Sequence, residues 1–139
     1  MWIFLNDAFL SIVAHRVAGK TTSKLVVRAR RRGDLARVFP KHAEAILHTP
    51  QADYGFRLYL PHAVVAAAVL RRLLMIEYGN FKAGIEEDDR HNAYTAVWET
   101  MFLFQGGRMV PELRRQSILA PGLFEFEDDE DEGKGEEGK

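Results

Sequence analysis

The sequence predicts an α+β fold: an antiparallel sheet of about four to five strands with two long helices packed on one face. Three observations carry this reading. Tyr54, Phe56, Leu58 and Leu60 alternate with Asp53, Gly55, Arg57 and Tyr59, the period-two pattern of a half-buried strand. Two longer stretches, from Pro61 to about Tyr78 and from Asp88 or Asp89 to about Gln105, carry apolar residues at helical spacing instead. Strand-like segments mostly precede these helices and are joined by short links, which favours antiparallel pairing.

The elements follow in chain order. Trp2-Ile3-Phe4-Leu5 reads as a short strand, Asn6-Asp7 as a turn, and Phe9 to Ala14 as its hairpin partner. Ala18 to Ser23 is small and polar and reads as a loop. Leu25 to Arg32 resumes strand character. Gly33-Asp34 breaks it, and Leu35 to Phe39 makes one helical turn before Pro40. Ala43 to Thr49 is a further strand, weakened by Glu44 and Ala45. Pro61 suits the first turn of a helix whose stripe is Val65, Val69, Leu73 and Ile76, widened by Leu70 and Leu74. The second helix is capped by Asp88 or Asp89, presents Tyr94, Val97, Trp98, Met101 and Phe102, and ends at Gly106-Gly107. Pro111 to Leu119 forms a last short helix. From Leu25 to Tyr78 the order is β-α-β-β-α, part of a ferredoxin-like arrangement. No internal repeat is evident.

The chain of 139 residues fits one domain, residues 1–123, followed by an acidic tail, residues 124–139, whose composition cannot offset the entropy of ordering it. With no cysteine, disulfides and thiolate metal sites are excluded, which fits a reducing, cytoplasmic setting. The longest apolar run, Ala63 to Leu70, falls far short of the roughly 20 residues that span a bilayer. The net charge of −1 conceals segregation. Residues 1–43 carry nine Lys/Arg against two acids, and residues 124–139 carry nine acids against two lysines.

That asymmetry frames the candidate chemistry. On a strand from Lys24, residues two apart place Arg28, Arg30 and Arg32 on one side and Leu25, Val27 and Ala29 on the other. Arg57 and Tyr59 point outward if Tyr54, Phe56, Leu58 and Leu60 face the core. Guanidinium forks with an aromatic on an open sheet suit a polyanion or an acidic partner. A plainly solvated face, or an edge strand guarded by charge, is the commoner origin of such a pattern. The tail acids Glu127, Asp128, Asp129, Glu130, Asp131 and Glu132 are complementary to that face and could act as an autoinhibitory competitor.

Other motifs are weaker. Gly19-Lys20-Thr21 has the end of a phosphate-binding loop, but Ala14 stands where its first glycine belongs and no helix follows. The five histidines lack metal-ligand spacing. His91, Thr95 and Glu99 share a helix face with Asp88 one turn earlier, a pattern commonest on solvated helices. Glu86 to Asp89 lacks the alternation of a calcium loop. The aromatic group Tyr78, Phe81, Tyr94, Trp98, Phe102 and Phe104 is most simply core. No catalytic residue, metal ligand or cofactor motif is identified.

Met1-Trp2-Ile3-Phe4-Leu5-Asn6-Asp7-Ala8-Phe9-Leu10-Ser11-Ile12-Val13 resembles a group of small uncharacterised bacterial and phage-associated proteins. The likeness continues at Leu25 to Arg30, Ala52-Asp53-Tyr54, Tyr78-Gly79-Asn80-Phe81-Lys82 and Ala93 to Trp98, covering roughly residues 1–104. It implies a mobile-element or bacterial origin and a stand-alone accessory protein, and carries no activity with it. The expected function is a non-catalytic module docking on a protein or nucleoprotein partner through the basic face, with an inhibitor of a host complex as one form. Direct binding of DNA or RNA, gated by the tail, is the alternative, and a small enzyme using His91 or His62 a third. A homodimer through the open sheet is compatible with the pattern.

Overall fold

The computed structural model describes residues 1–106. They form an α+β unit whose five-stranded antiparallel sheet has the order β1-β2-β3-β5-β4. Its strands are β1 (Trp2–Leu5), β2 (Ala8–Val17), β3 (Lys20–Ala29), β4 (Leu47–His48) and β5 (Phe56–Pro61). The helices are α1 (Arg32–Val38), α2 (His62–Leu74) and α3 (Asp88–Phe104), with 3-10 turns at Pro40–Ala45 and Lys82–Gly84. The expected tail, the last short helix at 111–119 and the domain limit at residue 123 lie outside the described residues.

The ferredoxin-like order is visible in β3-α1-β4-β5-α2. Strand β5 inserts between β3 and β4 and runs antiparallel to both. The place beside β3 that such a fold gives to a closing strand is taken by β2, which comes from the preceding hairpin.

One sheet face is sealed. Ala8, Leu10, Ile12, Val27, Ala29, Leu58 and Leu60 from the strands meet Leu35, Val38 and Phe39 at α1 and Val65 of α2. Leu10, Leu35 and Val27 are fully inaccessible. At about 25 cal/mol per Å², each such side chain contributes about 1.5–3 kcal/mol, which makes this cluster a major source of stabilisation for the described unit. No residue of α3 belongs to the cluster.

Several boundaries differ from expectation for identifiable reasons. Ala18 to Ser23 is no loop. Ala18 (φ 48°) and Gly19 (φ 79°) turn the chain within two residues, and β2 and β3 run up to them. Two central residues with positive φ match the twist of a hairpin. Strand β3 stops at Ala29, so Arg32 is not a strand residue; it opens α1. Pro40 starts a 3-10 turn that takes the first three residues of the expected strand at Ala43 to Thr49, and only Leu47 and His48 remain as β4. Helix α2 ends at Leu74, short of Tyr78, whose ring instead packs near Phe81 and Gly84. Helix α3 is preceded by Glu87, whose side chain makes no cap bond; Asp88 and Asp89 sit in its first turn, where Asp89 accepts from the Arg90 N–H (2.8 Å) and their charge favours the positive helix end.

Candidate partner-binding face

The sheet face away from α1 and α2 is built by register. Trp2 pairs with Ser11, Ser11 with Arg28, Arg28 with Arg57, and Arg57 with Leu47. Directly opposed residues share a face, so these five make one row across the sheet. A parallel row holds Val13, Val26 and Tyr59. Phe4 and Phe9 pair beyond Trp2, their ring centroids 4.9 Å apart.

The structure brings Arg28, Arg30, Arg57 and Tyr59 onto or beside this face and leaves Arg32 off it. The Arg32 guanidinium donates to the Ala43 carbonyl (3.0 Å). The other arginines do not project as solvated forks. Arg28 donates to Ser11 Oγ (2.8 Å) and lies 3.7 Å from Asp53. Arg57 pairs with the second Asp53 oxygen (3.2 Å), and Arg30 donates to the Asp53 carbonyl (3.1 Å). Arg28 and Arg30 both stack over the Tyr54 ring, at 4.6 and 4.9 Å from its centroid. Tyr54 is buried as expected, but on this face, under two arginines, and outside the cluster sealed by α1 and α2. Gly55 and the start of β5 at Phe56 break the alternation before it.

The result is a packed arginine–aromatic layer. It buries Ser11 and Tyr54 and leaves only about a fifth of the Arg28 and Arg57 side chains exposed. Trp2, at 62% exposure, is the layer's large open aromatic. Tyr59 meets His15 edge-on, ring centroids 4.9 Å apart. Arg28, Arg30 and Arg57 against Asp53 leave an excess of two positive charges.

Helix α3 walls one end of this face. Between them lies a cleft of about 300 Å³ floored by Trp2, Phe4 and Phe9, with Arg30, Arg31 and Val97 on its rim. A buried ion pair sets the helix position. Asp34 accepts from Arg90 Nη2 (2.7 Å) and Nη1 (3.3 Å) and from the Phe9 N–H (3.0 Å). Arg90 also donates to the Tyr94 hydroxyl (3.2 Å), which donates to the Ala8 carbonyl (3.0 Å). Burial acts to lower the Arg90 pKa, but its bonds to Asp34 and Tyr94 outweigh that and hold it above the usual guanidinium value. Burial likewise pushes the Tyr94 phenol up. Outside this core, Arg31 pairs with Glu87 (2.8 Å) and Asp89, Arg37 with Glu87 (3.0 Å), and Arg72 with Asp7 (3.0 Å). The Arg31 contact raises that arginine's pKa and lowers the Asp89 carboxyl. Arg31, Arg37, Arg72 and Arg90 are thus structural; Arg37 and Arg90 also meet an acid one helical turn away, at Asp34 and Glu87, but each of the four has a further acid distant in sequence that local charge counting could not reveal.

The remaining candidates do not converge. His91 Nδ1 and Thr95 Oγ1 are each buried without a hydrogen-bond partner, so they do not bond one another. No group of three His, Asp or Glu residues could hold a metal among the described residues. Gly19-Lys20-Thr21 sits on a hairpin, with no helix start for phosphates. No helix among the described residues is long and apolar enough to cross a membrane. Comparison of the chain with family models, curated proteins and solved structures found no match to any of them.

Proposed function

We propose that the protein is a small non-catalytic binding module that docks on a protein or nucleoprotein partner through its open sheet face. The observation that carries this reading is the arginine–aromatic layer around Tyr54, opening at Trp2 into the cleft beside α3. Tryptophan, tyrosine and arginine are the side chains that dominate binding hot spots, since each covers large area while keeping a polar edge. Preorganised stacking lowers the entropy lost when a partner binds. The resemblance to phage-associated proteins makes inhibition of a host complex one concrete form of this role.

The test places a photo-crosslinking phenylalanine derivative at Trp2 in bacterial cells, with a control at exposed Glu44 in the 3-10 turn after α1. A discrete adduct from position 2, lost with Arg30→Glu and absent from position 44, supports the reading. The same adduct at both positions, or none at either, refutes it.

Direct nucleic-acid binding is the second reading, favoured by a separate observation. The β2–β3 hairpin carries exposed Arg16, Lys20 and Lys24, which form no ion pair among the described residues. A two-stranded ribbon fits a DNA major groove. If these three cations touch phosphates, replacing all three by Gln reduces the slope of log K against log salt by about 3. Full-length protein titrated with labelled single- and double-stranded DNA and RNA across a salt series measures that slope. An absence of binding removes this alternative.

A further inference from the structure

We infer that the cavity between α1 and α2 seats the chain's own acidic, aromatic segment, residues 123–132. The cavity, about 450 Å³, lies on the opposite side of the molecule from the proposed docking face and does not depend on that reading. Its wall is apolar at Phe39, Val64, Ala68 and Met75, and its rim is cationic. Arg37 and Arg72 on that rim already face Glu87 and Asp7. Lys41 and Arg71 are exposed and form no ion pair among the described residues. No acidic side chain among the described residues lines the cavity. Its complement is therefore a ligand with apolar anchors beside carboxylates.

Leu123-Phe124-Glu125-Phe126 followed by six consecutive acids, Glu127 to Glu132, has that composition. When extended, Phe124 and Phe126 fall on one face and Glu125 and Glu127 on the other. The described residues end at Gly106. Residues 107–122 reach at most about 50 Å at roughly 3.3 Å per residue, and about 40 Å with the expected helix at 111–119, wider in either case than a folded unit with a radius of gyration of about 13 Å. A tether of this kind gives an effective concentration on the order of millimolar, enough to populate a weak site.

The magnitudes select this cavity over the sheet face. Charge attraction alone is screened beyond about 8 Å at physiological salt, so a run of acids needs apolar anchorage to hold a defined position. On the sheet face, Arg28 and Arg57 already share Asp53. In the cavity Lys41 and Arg71 form no ion pair among the described residues, and Met75 on its wall is 59% exposed.

The chain has no cysteine, so Gly133→Cys gives the full-length protein a single attachment point for a nitroxide. Amide NMR signals of residues 39–43 and 64–72 are expected to lose most of their intensity. Phe124→Ser with Phe126→Ser should restore them, and so should Lys41→Glu with Arg71→Glu. Lys41 and Arg71 lie outside the buried cluster, and amides of β1 to β3 report that the fold is kept. Broadening centred on Ser11, Arg28 and Arg57, uniform broadening, or none would overturn the inference. So would insensitivity to both variant pairs, or transfer of the effect to an isotope-labelled copy mixed with spin-labelled protein.

Discussion

At the residue scale, Asp34 and Arg90 show why partner identity matters more than charge count. Both are nearly inaccessible, and each satisfies the other. Removing one partner of such a pair strands a buried charge and typically costs about 3–5 kcal/mol. Asp34→Ala should approach that loss in urea unfolding, because the Phe9 N–H is orphaned as well. Replacing the pair together, Asp34→Leu with Arg90→Met, should cost markedly less. A double variant as unstable as Asp34→Ala would show that hydrogen bonding, not charge, dominates the site. Tyr94 adds a pH dependence. Its pKa is raised in the folded protein, so its contribution is complete below the unfolded value of about 10 and fades as pH rises through the folded value. Phenolate absorbance should show a tyrosine step above the usual range, and Tyr94→Phe should remove that step.

Elements were legible in the sequence where local pattern decides them. The alternation through Leu58 and Leu60 correctly placed these residues in the core, and the two long helices were evident from spacing. Boundaries set by tertiary contacts were not legible. Nothing local announces that Tyr78 will leave the helix, that Tyr54 will lie under two arginines, or that Asp53 will join Arg28 to Arg57. The hairpin at Ala18-Gly19 was hidden because alanine is a poor residue for its conformation. Ala18 has φ 48°, a region where a β-carbon costs roughly 1 kcal/mol. Ala18→Asn should therefore stabilise the protein by about 0.5–1 kcal/mol, since Asn-Gly is the favoured pair for this turn. Chemical denaturation checks it, and a loss of stability would mean that the turn is held by something other than its own backbone preference.

On the scale of the whole molecule, stability is concentrated in the layer beneath α1 and α2, while other apolar surface remains open. Leu70, Leu73, Leu74, Met75 and Ile76 are all more than half exposed. A contiguous apolar surface of this kind marks an interaction region. Leu73→Lys with Leu74→Lys should shift unfolding stability by no more than about 0.5 kcal/mol per position, as befits exposed sites. Light scattering should show reduced self-association at the same time. A loss of several kcal/mol would instead mean that residues beyond 106 cover this surface in the folded chain.

Asp53 serves two arginines at once, and that has a bearing on selectivity. An incoming carboxylate or phosphate cannot simply add itself to Arg28 and Arg57; it must displace the resident anion, so binding there is an exchange reaction. Exchange rewards a ligand with two well-spaced acidic groups and discounts one that offers diffuse charge. If the proposed docking face meets an acidic partner, Asp53→Asn should raise its affinity for anions in general and narrow the differences between them, and titration with mono- and dicarboxylates checks both.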